Sequence, residues 1–413
     1  MFSAYTTLFR TPGAIKFSLA GLLGRMPVSM DSLALIFIVV SVSDSYAIAG
    51  GLSATASIVM SIAMPYWSGV SDRIGQRALL MRVAPLKAIG IAVFILLVLN
   101  HAPTWTWFAS IIAAEATSIN LGGLVRRRWL HVLSPDKSTT SEDESNRHLI
   151  NTAYSLEAVN DEVVFISGPI IATACATSIA PAAGLIAGII FLCIGVPFYA
   201  SQRATEPPPS PRLEKNPHPA VIRNRSLQAV VLPLMFVGGY FGSTTIVTVA
   251  FCTLQGHKSQ SGLVLAMWAA GSGVSAIVNG VIKWKITHAG RFILFFITLT
   301  TLAIPLLFVH SILILAFTLF CNGFAIAPLL VNAYSIAESA VPPEQITETL
   351  SWVIAGIPLG GAMASALSGW VIDNHGPQTA YWVPLGFMCA GLAATLAYFT
   401  TYKALIGYSS KHD

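Results

Sequence analysis

Charge is what this 413-residue sequence has least of. Asp, Glu, Lys and Arg make up 10% of it, while hydrophobic residues make up 54%. A soluble domain carries roughly a quarter of its residues charged, so that class is excluded. Cysteine is also scarce. Cys175, Cys193, Cys252, Cys321 and Cys389 lie within or at the ends of apolar segments, with no CxxC pair and no Cys–His cluster. They read as small hydrophobes, which argues against a disulfide framework or a metal centre. There is no Walker-type phosphate loop, no HExxH and no GxSxG, so neither ATP-driven nor hydrolytic chemistry has a signature. Gly271-Ser272-Gly273-Val274-Ser275-Ala276 fits a degenerate dinucleotide pattern. It sits inside an apolar run with no preceding strand and reads as close helix packing. No cofactor and no metal are expected, and the chain is not read as an enzyme.

What is present is a series of long apolar runs, each near the roughly 20 residues that a helix needs to cross hydrocarbon. Twelve are read, at about 14–40, 46–69, 78–99, 104–125, 153–177, 181–201, 227–250, 260–282, 291–310, 312–336, 347–371 and 379–402. A β-barrel would need strands of about ten residues with alternating polarity, and these runs do not alternate. The first run is too long, and lacks the small-residue cleavage site, for a removable signal peptide. The expected fold class is an all-α, multi-pass membrane protein of twelve transmembrane helices.

Lysine and arginine set its orientation. With the N-terminus inside, the cytoplasmic loops receive Arg73, Arg77, Arg126, Arg127, Arg128, Lys137, Arg203, Lys215, Lys283, Lys285 and Arg291 among others, and the outer loops only Lys258. Both termini are then cytoplasmic. Trp105, Trp107, Tyr381 and Trp382 fall at outer ends as interfacial anchors, and Trp129, Tyr398 and Tyr402 at inner ones. The net charge of +5 therefore reports topology and not nucleic-acid binding.

Residues 202–226, QRATEPPPSPRLEKNPHPAVIRNRS, are too polar to span and too rich in proline to continue a helix. They divide the chain into six-helix halves at 1–201 and 227–413. The halves echo each other: Gly168-Pro169 in the fifth run has a counterpart around Pro358, Gly360 and Gly361 in the eleventh. A second polar stretch, about 130–150, reads as a solvated loop.

Between the second and third runs lies GVSDRIGQRALL, from Gly69 to Leu80. Gly69 and Gly75 permit close approach and a tight reversal, while Asp72, Arg73 and Arg77 place pairable charges at the membrane boundary. A weaker echo without the aspartate, GVIKWKITHAGR, occupies 280–291. The Gly69–Leu80 turn resembles the signature that the major facilitator superfamily places after its second transmembrane helix. The resemblance extends over the whole chain through the twelve runs, the six-plus-six division and the basic linker. Gly168-Pro169 resembles the fifth-helix antiporter motif of that family, although Val164 and Ala172 stand where glycines are often found. The resemblance implies two six-helix bundles, with Gly168, Pro169, Pro358 and Gly360 bending helices. It also implies that Asp72 meets the stretch around 344–350 as part of an inner gate, with Arg73 and Arg77 as charge partners.

Charges inside the apolar runs are the candidates for chemistry, since each costs roughly 2.5–3.5 kcal/mol at a helix centre on insertion scales. Arg25 and Asp31 lie in the first run on either side of Pro27, Lys87 in the third and Glu115 in the fourth. Two readings stay open: binding of substrate or proton by Arg25, Asp31 and Glu115, or mutual pairing that fixes helix packing. The fifth run opens with Glu157, Asp161 and Glu162, and Arg126 to Arg128 are near enough in topology to pair with them. Glu157 is expected near the surface and solvated, with Asp161 and Glu162 deeper. Arg126, Asp161 and Glu162 are therefore gating candidates beside the Gly69–Leu80 turn.

The resemblance implies a secondary active transporter working by alternating access. Export of a small solute by proton antiport is the first reading, with the lipid bilayer and protons as partners. A monomer in the bacterial plasma membrane is expected. Proton-coupled or facilitated uptake is the alternative within transport, and a non-transporting sensor or scaffold is the alternative of another class.

Overall fold

The computed structural model describes residues 8–133, 140–209, 224–282, 284–341 and 346–398. Among these residues the regular structure is helical, without strands. The main helices are α1 (Ala14–Ser43), α2 (Tyr46–Ile74), α3 (Gln76–Leu99), α4 (Thr104–Glu115), α5 (Leu121–Leu133), α6 (Thr140–Ser178) and α7 (Ala183–Ser201). They continue with α8 (Arg225–Leu254), α9 (Ser261–Val281), α10 (His288–Ala303), α11 (Ile312–Ser339), α12 (Ile346–Ala380) and α13 (Trp382–Ala397).

Among the described residues, ten helices are long and apolar enough to cross a membrane. Of the twelve expected spans, the fourth and the twelfth fall short of that mark, for different reasons. The twelfth, α13, ends at Ala397, and residues 399–413 lie outside those described. The fourth is split into α4 and α5 by the polar stretch after Glu115. There Thr117 Oγ1 donates to the Ala114 carbonyl, and Asn120 Oδ1 accepts from the Gly123 N–H at the start of α5. Such side chains offer the backbone an alternative to the helical ladder and end the helix. The Ala116 carbonyl released by the break accepts from Trp67 Nε1 at 2.7 Å, so no orphan acceptor is left at that point.

Proline interrupts several spans without ending them. Pro27, Pro65, Pro85, Pro169, Pro197, Pro233, Pro328 and Pro358 all lie inside helices, which membrane helices tolerate because neighbours re-satisfy the freed carbonyls. One residue, Gly75, separates α2 from α3. Its φ of 90° belongs to the region that favours glycine, as the tight-reversal reading of this turn requires.

The chain forms two compact units, residues 1–34 with 62–214, and residues 35–61 with 215–413. In the first, Phe17, Leu121, Val125, Trp129 and Tyr199 pack α1, α5 and α7 around one apolar cluster. In the second, α8 and α12 meet through glycines. A Cβ on Gly238 would lie 1.9 Å from the Ile357 carbonyl oxygen, and one on Gly360 would lie 1.6 Å from that of Met235. Small residues thus let backbones touch where lipid supplies no hydrophobic drive. Gly271 and Gly323 join α9 to α11 in the same way, with Cβ positions 2.1 Å and 2.4 Å from the Phe320 and Trp268 carbonyl oxygens. Gly271 of the dinucleotide-like stretch is a packing residue.

Three aromatic expectations are corrected. Trp107 is 4% and Trp129 1% exposed and Tyr381 is fully buried, so none of them is an interfacial anchor, whereas Trp105 and Trp382 are exposed. Trp129 faces inward because its indole N–H has a buried carboxylate to donate to.

Candidate functional site

Breaking the fourth span has a local purpose: it brings Glu115 and Ser118 to face Lys87 on α3. Lys87 Nζ lies 3.3 and 3.1 Å from the two Glu115 carboxylate oxygens and 3.0 Å from Ser118 Oγ. Ser118 Oγ in turn donates to Glu115 Oε2 at 2.5 Å. Asp31 on α1 completes the group, with Oδ2 3.5 Å from Lys87 Nζ. Gly188 on α7 leaves it room, since a Cβ there would lie 3.0 Å from Asp31 Oδ1. Close approach of α3 to α4 depends on Gly90, whose Cβ would lie 2.8 Å from Ala114. Two carboxylates thus share one ammonium among the described residues, and the cluster holds one negative charge in excess. Such an excess in a largely desolvated place is costly and is removed by one proton or one cation.

A second network lies on α1, α5 and α6. Arg25 Nη2 donates to Glu157 Oε2 at 2.5 Å and its Nη1 to Asp161 Oδ1 at 2.7 Å, while Nε donates to the Gly21 carbonyl. Arg126 Nη2 donates to the other Asp161 oxygen at 2.7 Å. Glu157 also accepts from Ser18 Oγ at 2.6 Å and Trp129 Nε1 at 2.9 Å. Here two guanidinium groups meet two carboxylates, and the charges cancel.

Arg25 and Asp31, six residues apart on one helix, therefore belong to different networks, and Glu115 joins only that of Asp31. The expectation that Glu157 is solvated is corrected: it is 0% exposed, whereas Asp161 is 31% exposed on its side chain. Glu157 is buried because Arg25, Ser18 and Trp129 all donate to it. Glu162 is half-buried, without an ion pair among the described residues.

The Gly69–Leu80 turn has its own partners. Asp72 pairs with Arg127, and the Arg77 backbone N–H donates to Glu206 Oε1 at 2.8 Å. Glu206 thus caps the start of α3, where a carboxylate is favoured by free N–H groups. Gly69 is half-buried and Arg73 exposed. Residues 344 and 345, part of the stretch expected to meet Asp72, lie outside the described residues, as do 210–223 of the linker. Arg128, fully buried, stands beside this turn and holds it to α7. Its guanidinium donates to Gln76 Oε1 at 2.9 Å and to the carbonyls of Tyr199 and Gln202, and it stacks 3.9 Å from the Tyr199 ring centroid. Gln76 and Glu206 carried no signal beyond their polarity, and only the neighbours brought by folding give them roles.

The glycine-proline pair of α6 also acts by packing. A Cβ on Gly168 would lie 1.9 Å from Ser29 Oγ, and that hydroxyl donates to the Val164 carbonyl at 2.9 Å. Pro169 and Pro358 lie inside α6 and α12, of which α12 is interrupted further on at Gly376 (φ 81°), and Gly360 is a point of backbone contact with α8.

Comparison with known proteins agrees with this architecture. The sequence profile described as Major Facilitator Superfamily matches residues 231–411. No curated protein matches the sequence. Among solved structures, a mutant form of the nucleoside transporter NupG superposes with a TM-score of 0.73 at 11% identity, over 93% of this chain and 99% of that one. The POT family transporter PepTSo gives 0.73 at 10% identity, over 94% and 98%. The human organic anion transporter MFSD10 (TETRAN) gives 0.60 at 13% identity, over 93% and 99%. The chain is a multi-pass membrane protein with the all-α fold of the major facilitator superfamily, and its C-terminal part carries that family's sequence pattern.

Proposed function

We propose that this chain is a major facilitator superfamily member that moves a small solute across the bacterial plasma membrane by alternating access, in exchange for protons. The observation that carries the reading is the Asp31–Lys87–Glu115 cluster, where two carboxylates compete for one ammonium. A group with one charge in excess can take up a proton in one state and release it in another, whereas a neutral network gains nothing by doing so. Ser118 orients Glu115, and Lys87 passes its stronger contact to whichever carboxylate is ionised.

The balanced Arg25–Glu157–Asp161–Arg126 network suits a structural and gating role, as does the Asp72–Arg127 pair beside Arg73, Arg77 and Gly75. In this reading the halves 1–201 and 227–413 are the moving bodies, both termini are cytoplasmic and the protein works as a monomer. Export is favoured over uptake by the Gly168-Pro169 pair, through its likeness to the antiporter motif.

The test is transport by the purified protein in proteoliposomes, with and without an imposed pH gradient, after an untargeted export screen has supplied a solute. Asp31→Asn and Glu115→Gln are each expected to leave solute exchange intact, and at least one to abolish accumulation driven by the gradient. Full pH-driven accumulation in both variants would refute proton coupling at this cluster.

A further inference from the structure

The basic echo at 280–291 has no use in transport as argued above, and its geometry differs from the first turn in one respect. Asp72 and Glu206 answer the charges and free N–H groups of the Gly69–Leu80 turn, but 280–291 contains no acid. His288 Nδ1 lies 3.0 Å from Asn332 Oδ1. Asn332 is fully buried and its Nδ2 donates to the Pro328 carbonyl at 2.7 Å, which fixes which end of the amide faces the imidazole. Nδ1 must therefore carry the hydrogen and donate.

Arg291 Nη2 lies 3.2 Å from that same Nδ1. A ring nitrogen that already donates cannot accept, so the guanidinium gains no hydrogen bond from it. Arg291 Nε and Trp284 Nε1 are both buried without an acceptor among the described residues. The two groups are neighbours, with the Arg291 Cζ 5.9 Å from the Trp284 ring centroid. Unpaired buried indole N–H groups also occur at Trp107 and Trp268, but among the described residues Arg291 is the one cation with an unpaired buried donor, the costlier case. Exposed Lys285 adds a further positive charge. His288 and Arg291 lie in the first turn of α10, which has no acid; Thr287 Oγ1 accepts from the Gly290 N–H, and that helix end favours an anion over a cation. This is the end of a segment, His288–Phe308, long and apolar enough to cross a membrane, and the ends of such segments face the headgroup region.

We propose that Trp284 and Arg291 form a binding site for a phosphate group at the membrane boundary, with His288 and Asn332 as positioning residues. A phosphate oxygen accepts from Arg291 Nε and Trp284 Nε1, and its charge offsets Arg291 and Lys285. The His288–Asn332 bond occupies Nδ1, so the imidazole offers the neighbouring guanidinium no acceptor there. The phosphate comes from an anionic lipid headgroup or from a soluble phosphate.

The test uses the full chain purified in detergent and reads no transport. Phosphatidylglycerol is titrated with native mass spectrometry, and inorganic phosphate by calorimetry and as a competitor. Arg291→Gln removes a charge-assisted donor and is expected to weaken binding by about tenfold or more. Trp284→Phe, which keeps the ring and loses its N–H, is expected to weaken it by a smaller factor. Lys16→Gln, an exposed cation outside the cluster, is expected to bind as the wild type does. Competition by inorganic phosphate assigns the site to soluble phosphate, and lipid binding without competition assigns it to the headgroup. Wild-type binding that Trp284→Phe leaves unchanged, and that Arg291→Gln either leaves unchanged or lowers no more than Lys16→Gln does, would overturn the proposal. Should Arg291→Gln fail to fold, the Trp284→Phe titration alone decides. A wild-type protein that binds neither probe also overturns it.

Discussion

Replacing Arg25 by Met should be among the most destabilising single changes in the first unit. Arg25 is 4% exposed and is the cation that meets Glu157, itself 0% exposed. Arg25→Met leaves Glu157 with the Ser18 hydroxyl and the Trp129 indole but no counter-charge. Breaking a buried pair by removing one partner costs about 3–5 kcal/mol, mostly as the penalty of the charge left behind. Glu157→Leu strands the guanidinium instead, with only Asp161 to share, and should cost a similar amount. The double variant strands neither charge. Its remaining loss is the Ser18 and Trp129 donors left without an acceptor, about 1–3 kcal/mol each. The double variant, at about 2–6 kcal/mol, should therefore fall short of the summed single effects, about 6–10 kcal/mol, by about 4 kcal/mol. Arg126→Met supplies the contrast: its pair with Asp161 is 36% and 31% exposed, so its removal should cost no more than about 1 kcal/mol. Reversible unfolding of the purified full chain in mixed detergent–SDS micelles measures all four. Additive single effects, or a loss below about 1 kcal/mol for Arg25→Met, would refute the view of Arg25–Glu157 as a desolvated, mutually dependent pair.

Three further outcomes are expected. Gly360→Ala should abolish the yield of monodisperse protein, because its Cβ would meet the Met235 backbone at 1.6 Å, while Gly386→Ala, with nothing within 4 Å, should leave the yield unchanged; size-exclusion chromatography reads both. Asp373, which accepts from Ser45 Oγ and from the N–H groups of Tyr46 and Ala47 at the start of α2, should cost about 1 kcal/mol in the same unfolding assay when changed to Ala. In single-tryptophan variants, brominated lipids should quench Trp105 and Trp382 strongly and Trp129 weakly, following their exposure; equal quenching of all three would contradict the packing of α5.

The sequence by itself determined the fold class, because the apolar runs leave the backbone no way to satisfy its polar groups in lipid except as helices. It also singled out Arg25, Asp31, Lys87 and Glu115, since a charge within such a run needs a reason. The reversal at Gly75 was legible from the glycine and its flanking charges. What composition and spacing could not supply was partnership. Arg25 and Asp31 share a helix, yet tertiary packing sends one to α6 and the other to α3. Glu157, polar and near a span end, looked solvated until Trp129, Ser18 and Arg25 closed over it. The break after Glu115 follows from local Thr, Ser and Asn chemistry, but its result, a carboxylate and a hydroxyl turned onto Lys87, appears only once α3 and α4 are side by side. Hydropathy is a property of each residue in its own segment, and the sequence carries it directly. The charge balance of a cluster depends on which segments meet, and only the tertiary structure decided that.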